Sequence, residues 1–132
     1  MSQYYAFNGD ADGLCALHQL RLADPTAAGL VTGVKRDIKL LDRMEAGAGD
    51  RVTVLDISLD SNRKELMRLL EAGANVEYFD HHYAGEIPQH RNLITHIDLS
   101  AEVCTSILVD RHLEGKYRLW TIVAAFGDNL KK

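Results

Sequence analysis

The chain has 132 residues, 46% of them apolar, which fits one domain with a real hydrophobic core and excludes a disordered tail. Its formal charge of −4 argues against a broad surface that coats nucleic acid, and leaves room for a local phosphate site. No stretch approaches the ~20 apolar residues of a membrane span, no basic leader opens the chain, and Cys15 and Cys104 form no C-x-x-C pair, so a reducing, cytoplasmic setting without a membrane partner is expected.

Short apolar runs alternate with helical periodicity. A strand is predicted over about Gln3–Phe7, then a helix over about Asp12–Leu22 with Leu14, Leu17 and Leu20 on one face. After the turn ADPTAAG come a strand in GLVTGV (29–34) and a short helix in DIKLLDRMEAG (37–47) that Gly47 closes. RVTVLDI (51–57) reads as the third strand. SNRKELMRLLEAG (61–73) reads as a helix, with Ser61 as N-cap and Gly73 as stop. NVEYF (75–79) and NLITHI (92–97) are the fourth and fifth strands, Ser100 can cap a helix over 101–113, and the apolar segment YRLWTIVAAFG follows. Strands alternating with helices imply an α/β fold: a doubly wound, mostly parallel five-stranded sheet with helices on both faces.

In such sheets the site lies beyond the carboxyl ends of the strands, near a topological switch point. Strand one ends in NGDADG, bringing Asn8, Asp10 and Asp12; strand three ends in Asp56; strand four ends in Asp80, His81 and His82. Taken singly, DADG is a good turn and helix N-cap, and Asp56 before SLDS can cap a loop. Together they crowd carboxylates onto one rim, where each close pair repels by roughly several kcal/mol at an effective dielectric near ~20. No Lys or Arg adjoins these clusters, and a divalent metal is the simplest counter-charge. Carboxylate oxygens with some imidazole favour Mn²⁺ first, with Mg²⁺, Co²⁺ and Zn²⁺ as further candidates. Two ions ~3.5–4 Å apart clamp a phosphoryl group and generate hydroxide, so the expected chemistry is metal-assisted hydrolysis of a phosphoester or phosphoanhydride.

DADG at 10–13, VLDIS at 54–58, DHH at 80–82 and AAFGD at 124–128 resemble the four ordered motifs of the DHH phosphoesterase superfamily. That superfamily includes single-strand DNA exonucleases, small-oligonucleotide phosphodiesterases, exopolyphosphatases and manganese pyrophosphatases; DADGLCA looks nearest to the exonuclease-like branch. The resemblance implies a metal-dependent hydrolase in which Asp10 binds one metal, Asp12 the other, and Asp56 bridges both, with His81 and Asp128 completing the second site. It also implies that His82 faces the substrate phosphate and that Asp80 orients this loop, so Asp56, Asp80 and His82 carry the catalytic roles. By sequence alone Gly127-Asp128 is an ordinary helix stop. Asn8, Lys35 and Arg36 join His82 as substrate-facing candidates, although Lys35 and Arg36 also fit a solvated loop.

Two departures matter. Ala6 stands where the family usually has a His, so one metal site is expected to be weak or empty. Relatives continue into a substrate-binding domain after the fourth motif, so residues 1–132 are expected to be a single DHH-type domain, the N-terminal part of a longer two-domain protein, with low activity by itself. The partner is expected to be a phosphate-containing substrate, nucleic acid among the candidates; the oligomeric state is open. Two rivals remain: a non-catalytic relative that binds metal or ligand, and a phospho-receiver domain with Asp56 as phosphoacceptor. Against the receiver, Asp-His-His follows strand four where receivers have a hydroxyl, and His96 and Asp98 end strand five where they have a Lys. His96 and Asp98 read as capping groups, His112 as a helix C-terminal residue that suits the dipole, His18 as an ordinary side chain, His90 as loop and Trp120 as core.

Overall fold

A computed structural model of the chain describes residues 2–26, 28–33, 46–100 and 103–127. Lys35, Arg36, Asp128 and most of the helix expected over 37–47 lie outside the described residues. The elements are β1 (Gln3–Asn8), α1 (Ala11–Ala23), β2 (Gly29–Gly33), β3 (Arg51–Leu55), α2 (Arg63–Glu71), β4 (Asn75–Asp80), β5 (Leu93–Ile97), α3 (Thr105–His112) and α4 (Arg118–Gly127). The strands form one sheet in the order β2-β1-β3-β4-β5, and every pair is parallel. The chain reverses its direction of travel across the sheet between β1 and β3, which makes their carboxyl ends the switch point.

A parallel sheet must be covered on both faces, and the strand sequences alternate two apolar sets accordingly. Ala6, Val52, Val54, Val76 and Tyr78 point to one face, where the apolar stripe of α2 (Leu66, Leu69, Leu70) packs on them. Tyr5, Phe7, Leu55 and Phe79 point to the other, against Ala16 and Leu17 of α1 and Leu108 and Val109 of α3. The fourth helix packs on α1 and α3. Cys15 and Cys104 are buried together with Ala124 in that layer. Among the described residues no helix is long and apolar enough to cross a membrane.

Several boundaries differ from expectation. A 3-10 turn (Asp60–Asn62) precedes α2, and Asn62, not Ser61, occupies the cap position, its Nδ2 donating to the Ser58 carbonyl at 2.8 Å. Gly73 does end α2: its φ is +94°, and a Cβ there would lie 3.1 Å from Ala48 Cα. Ser100 does not cap α3; that helix begins at Thr105, and Cys104 at its cap position makes no side-chain capping bond. Trp120 is 36% exposed on α4 and meets His18 edge-on at 4.4 Å, so it is not core. His96 is no cap either: its ring stacks on Phe79 and its Nε2 meets Glu77 Oε2 at 2.8 Å.

Candidate functional site

The turn after β1 is built by short-range chemistry. Asp10 is the N-cap of α1, its Oδ1 accepting from the Gly13 N–H at 2.9 Å. Gly13 allows that helix to start against the strand end: a Cβ there would lie 1.9 Å from the Asn8 carbonyl oxygen. Asp12 is therefore turned inward and 1% exposed. Its two carboxylate oxygens accept from the backbone N–H groups of Thr105 (2.9 Å) and Ser106 (2.8 Å), the first residues of α3. An acid on α1 thus caps α3, which is why no local cap was needed there.

Asp56, the residue after β3, adopts the left-handed backbone conformation with φ 64° and is 2% exposed. Asp is among the side chains that tolerate that region, and strain of this kind is held in place by its surroundings. Its N–H donates to the Phe79 carbonyl at 3.0 Å. Its Oδ1 accepts from the Thr105 hydroxyl at 3.0 Å and lies 3.1 Å from His81 Nε2. The same His81 nitrogen is 3.5 Å from Asp12 Oδ2. Asp12, Asp56 and His81 thus converge from three parts of the chain. At the end of β4, buried Asp80 engages His82 Nδ1 through Oδ1 at 2.6 Å, and the His82 side chain is 43% exposed. Donor atoms of Asp56, Asp80, His81 and His82 lie within 4.8 Å of one another.

The electrostatics follow from crowding. Burial pushes the Asp56 carboxyl up to about 8, with the charges of Asp12 and Asp10 adding to it and the His81 hydrogen bond opposing. Burial by itself would lower the His81 imidazole; its hydrogen bond to Asp56 and the charges of Asp56, Asp12 and Asp80 outweigh that and push it up to about 9. The hydrogen bond to Asp80 raises His82 against its own burial. The cluster without an ion therefore holds protons at neutral pH. Asn8 Oδ1 and Asp80 Oδ2 are buried with no hydrogen-bond partner among the described residues, so acceptors without one there stand at the strand ends. Carboxylates, imidazole and orphaned oxygens fit a hard divalent cation.

Of the candidates named from sequence, Asp12, Asp56 and His81 meet directly, Asp80 and His82 adjoin them, and Asp10 is near enough to act on Asp56. Asn8 closes β1 just before the Asp10 turn, and Ala6 lies fully buried in the layer that α2 covers. Thr105 and Ser106 went unread in the sequence. Their signal was a Thr-Ser pair opening an apolar helical run, and Ser100, a stronger local cap candidate, drew the expected helix start upstream of it. A depression of about 620 Å³ opens at the opposite, amino-terminal edge of the sheet, between Gln3, Tyr4, Asp24, Gly29 and Arg51, and none of the converging acids lines it.

A doubly wound parallel domain with an acid–imidazole cluster at its switch point is the class that fold and site define. Comparison with solved structures finds the same fold in exonuclease RecJ bound to manganese, with a TM-score of 0.56 at 22% identity over 96% of this chain and 37% of that one. RecJ from Thermus thermophilus in complex with Mn²⁺ gives a TM-score of 0.54 at 22% identity, again over 96% of this chain and 21% of that one. This chain spans well under half of either neighbour's length. No family model matches the chain. No curated protein matches it either.

Proposed function

We propose that the chain is the metal-binding domain of a DHH-type phosphohydrolase that cleaves a phosphoester or phosphoanhydride in a nucleic acid, nucleotide or polyphosphate, and that it is the N-terminal part of a longer two-domain protein. The convergence of Asp12, Asp56 and His81 at the switch point is the observation that carries this reading. The fold shared with manganese-bound RecJ supports Mn²⁺ and an exonuclease-like substrate.

Asp56, His81, Asp12 and Asp10 would hold the ion, with Asp128 as a further ligand by its place in the fourth motif. A bound divalent cation supplies Lewis-acid activation of water and offsets phosphate charge. The residues do the rest. His81 must give up its proton to offer Nε2, and Asp56 must be ionised to offer both oxygens. Asp80, acting as acceptor, fixes His82 with Nδ1–H toward itself, which leaves Nε2 to face a phosphate oxygen. The raised His82 affinity for a proton favours the cationic form, a donor suited to a phosphoryl oxygen. Asn8, Lys35 and Arg36 are assigned to the substrate side.

The test is a metal titration of the purified chain, followed by a hydrolysis screen with bis(p-nitrophenyl) phosphate, short single-stranded DNA and polyphosphate. Mn²⁺-dependent product release that Asp56→Asn abolishes is expected. Absence of Mn²⁺ binding, or hydrolysis that Asp56→Asn leaves intact, overturns the proposal.

A further inference from the structure

A second group of donors lies outside this site. Glu77 on β4, His96 on β5 and His112 at the last residue of α3 turn toward one another on the face of the sheet that α3 covers. Glu77 Oε2 is 2.8 Å from His96 Nε2 and 3.9 Å from His112 Nε2, and one donor atom from each residue lies within 4.8 Å of the others. In a tetrahedral zinc site with bonds of about 2.0–2.1 Å, neighbouring donors stand about 3.3–3.4 Å apart, a value these distances bracket.

The rings are not loose. His96 stacks on buried Phe79 with centroids 4.4 Å apart and planes 10° apart, and His112 meets that phenyl edge-on at 5.4 Å. Phe79 and His96 are direct partners in the β4–β5 register, so strand pairing itself places the first imidazole. The side chains of Glu77, His96 and His112 are 29%, 29% and 38% exposed, which leaves an ion a route in and a water a place to bind. The two sites sit at opposite ends of α3: its first residue contacts Asp56 and its last carries His112. At 1.5 Å per residue that separation is about 10 Å, too far for one ion to use both.

We propose that Glu77, His96 and His112 form a second metal site, selective for Zn²⁺ and its imidazole-loving neighbours rather than Mn²⁺. Two neutral imidazoles with one carboxylate make a softer donor set than the carboxylate-rich cluster at the switch point, and affinity for such nitrogen donors rises steeply from Mn²⁺ to Zn²⁺. The ion would tie the edge strand β5 and the carboxyl end of α3 to β4. Three protein ligands leave the fourth position of a tetrahedral ion open to water.

The site stands independently of the proposed hydrolase activity. Zn²⁺ is titrated calorimetrically into the whole chain, into His96→Gln, into His112→Gln and into Asp56→Asn. Losing a direct ligand should weaken the second site by more than the ~10–100-fold typical of a supporting residue. Both His variants, whose altered side chains are partly exposed, should lose one Zn²⁺ class and keep Mn²⁺ binding; Asp56→Asn should keep that Zn²⁺ class and lose Mn²⁺. Melting of the unmutated chain with Zn²⁺ provides a second readout, because an ion that binds only the folded state raises the transition temperature. That increment should vanish in His112→Gln. Zn²⁺ binding and melting unchanged in both His variants, or Zn²⁺ binding lost in Asp56→Asn alone, overturns the proposal.

Discussion

At the scale of single residues, Asp56 concentrates the tension of the site. It is buried, left-handed in φ, close to two other acids and raised to about 8. The folded chain binds more protons here than the unfolded chain between about pH 4 and pH 8, and His81, raised to about 9, extends that excess upward. The sign is therefore fixed: without metal, this pair makes the fold less stable as pH rises from about 4 toward 9. Asp56→Asn keeps the αL tolerance and the acceptor oxygen but removes the charge. It should raise metal-free stability at pH 8 by on the order of 1–2 kcal/mol while eliminating the Mn²⁺-dependent increase. Urea titrations with and without Mn²⁺ at about pH 6 and about pH 8 check both effects. Mn²⁺ binding should release protons and weaken as pH falls, because His81 and Asp56 must be deprotonated to ligate; calorimetry in buffers of different ionisation enthalpy measures that release. His82 makes a different prediction. Its substitution by Gln should leave Mn²⁺ affinity within a few-fold while lowering turnover by on the order of a hundredfold, as expected for a lost electrostatic contact to a phosphoryl oxygen. Both Asp56 and His81 were legible as strand-end residues. Their proton content was not, since it depends on burial and on distances that only the folded chain creates.

At the scale of elements, the junction of α1 and α3 determines whether the site exists. Asp12 holds the amino end of α3, Ser106 Oγ donates back to the Asp12 carbonyl at 3.0 Å, and Gln19 and Thr121 both donate to the Ser106 carbonyl. Three helices are thereby tied through one Thr-Ser step. Asp12→Ala should cost about 1–2 kcal/mol, the loss of a helix cap, plus whatever the two buried N–H groups lose in hydration. Asp12→Asn, which retains one acceptor oxygen, should cost less. Gly13→Ala should cost roughly 1–3 kcal/mol or more, because its methyl meets backbone, not a side chain that can move. Chemical denaturation of the metal-free chains ranks the three. Periodicity made α2 legible, and Gly73 marked where it stops; in α1 only part of the expected leucine face is buried, Leu14 being exposed, and α3 was misplaced at its start. A cap in trans, from a residue 93 positions away, leaves no local pattern to read. Ser100 was the best nearby candidate only because the true partner was distant.

At the scale of the whole molecule, the five strands were legible because each is a short apolar run bounded by turn residues, and their parallel arrangement followed from the intervening helices. The order β2-β1-β3-β4-β5 is also that of receiver and flavodoxin-like domains, so the fold alone does not choose a chemistry. The choice comes from what ends the strands: two histidines beside Asp80 and Asp56, and a Thr105 hydroxyl already bonded to the carboxylate a receiver would phosphorylate. The second histidine cluster stayed hidden in the sequence because Glu77, His96 and His112 come from three elements whose meeting depends on strand register. The proposed catalysis adds a requirement that the proposed ligands alone do not meet. Rate depends on holding a phosphoryl group in line and excluding bulk water as well as on activating the nucleophile. Under the proposed function His82, exposed at the rim, is the group that would meet the phosphate, and α4 presents Leu119, Ile122 and Val123 to solvent. The chain spans 37% of one RecJ and 21% of the other. If the chain is the metal-binding part of a longer hydrolase, as proposed, its turnover of a small activated phosphodiester should fall short of the longer protein's by on the order of a hundredfold or more at saturating Mn²⁺, with the gap widening on single-stranded DNA. Equal rates on both substrates would show that residues 1–132 already hold a complete site.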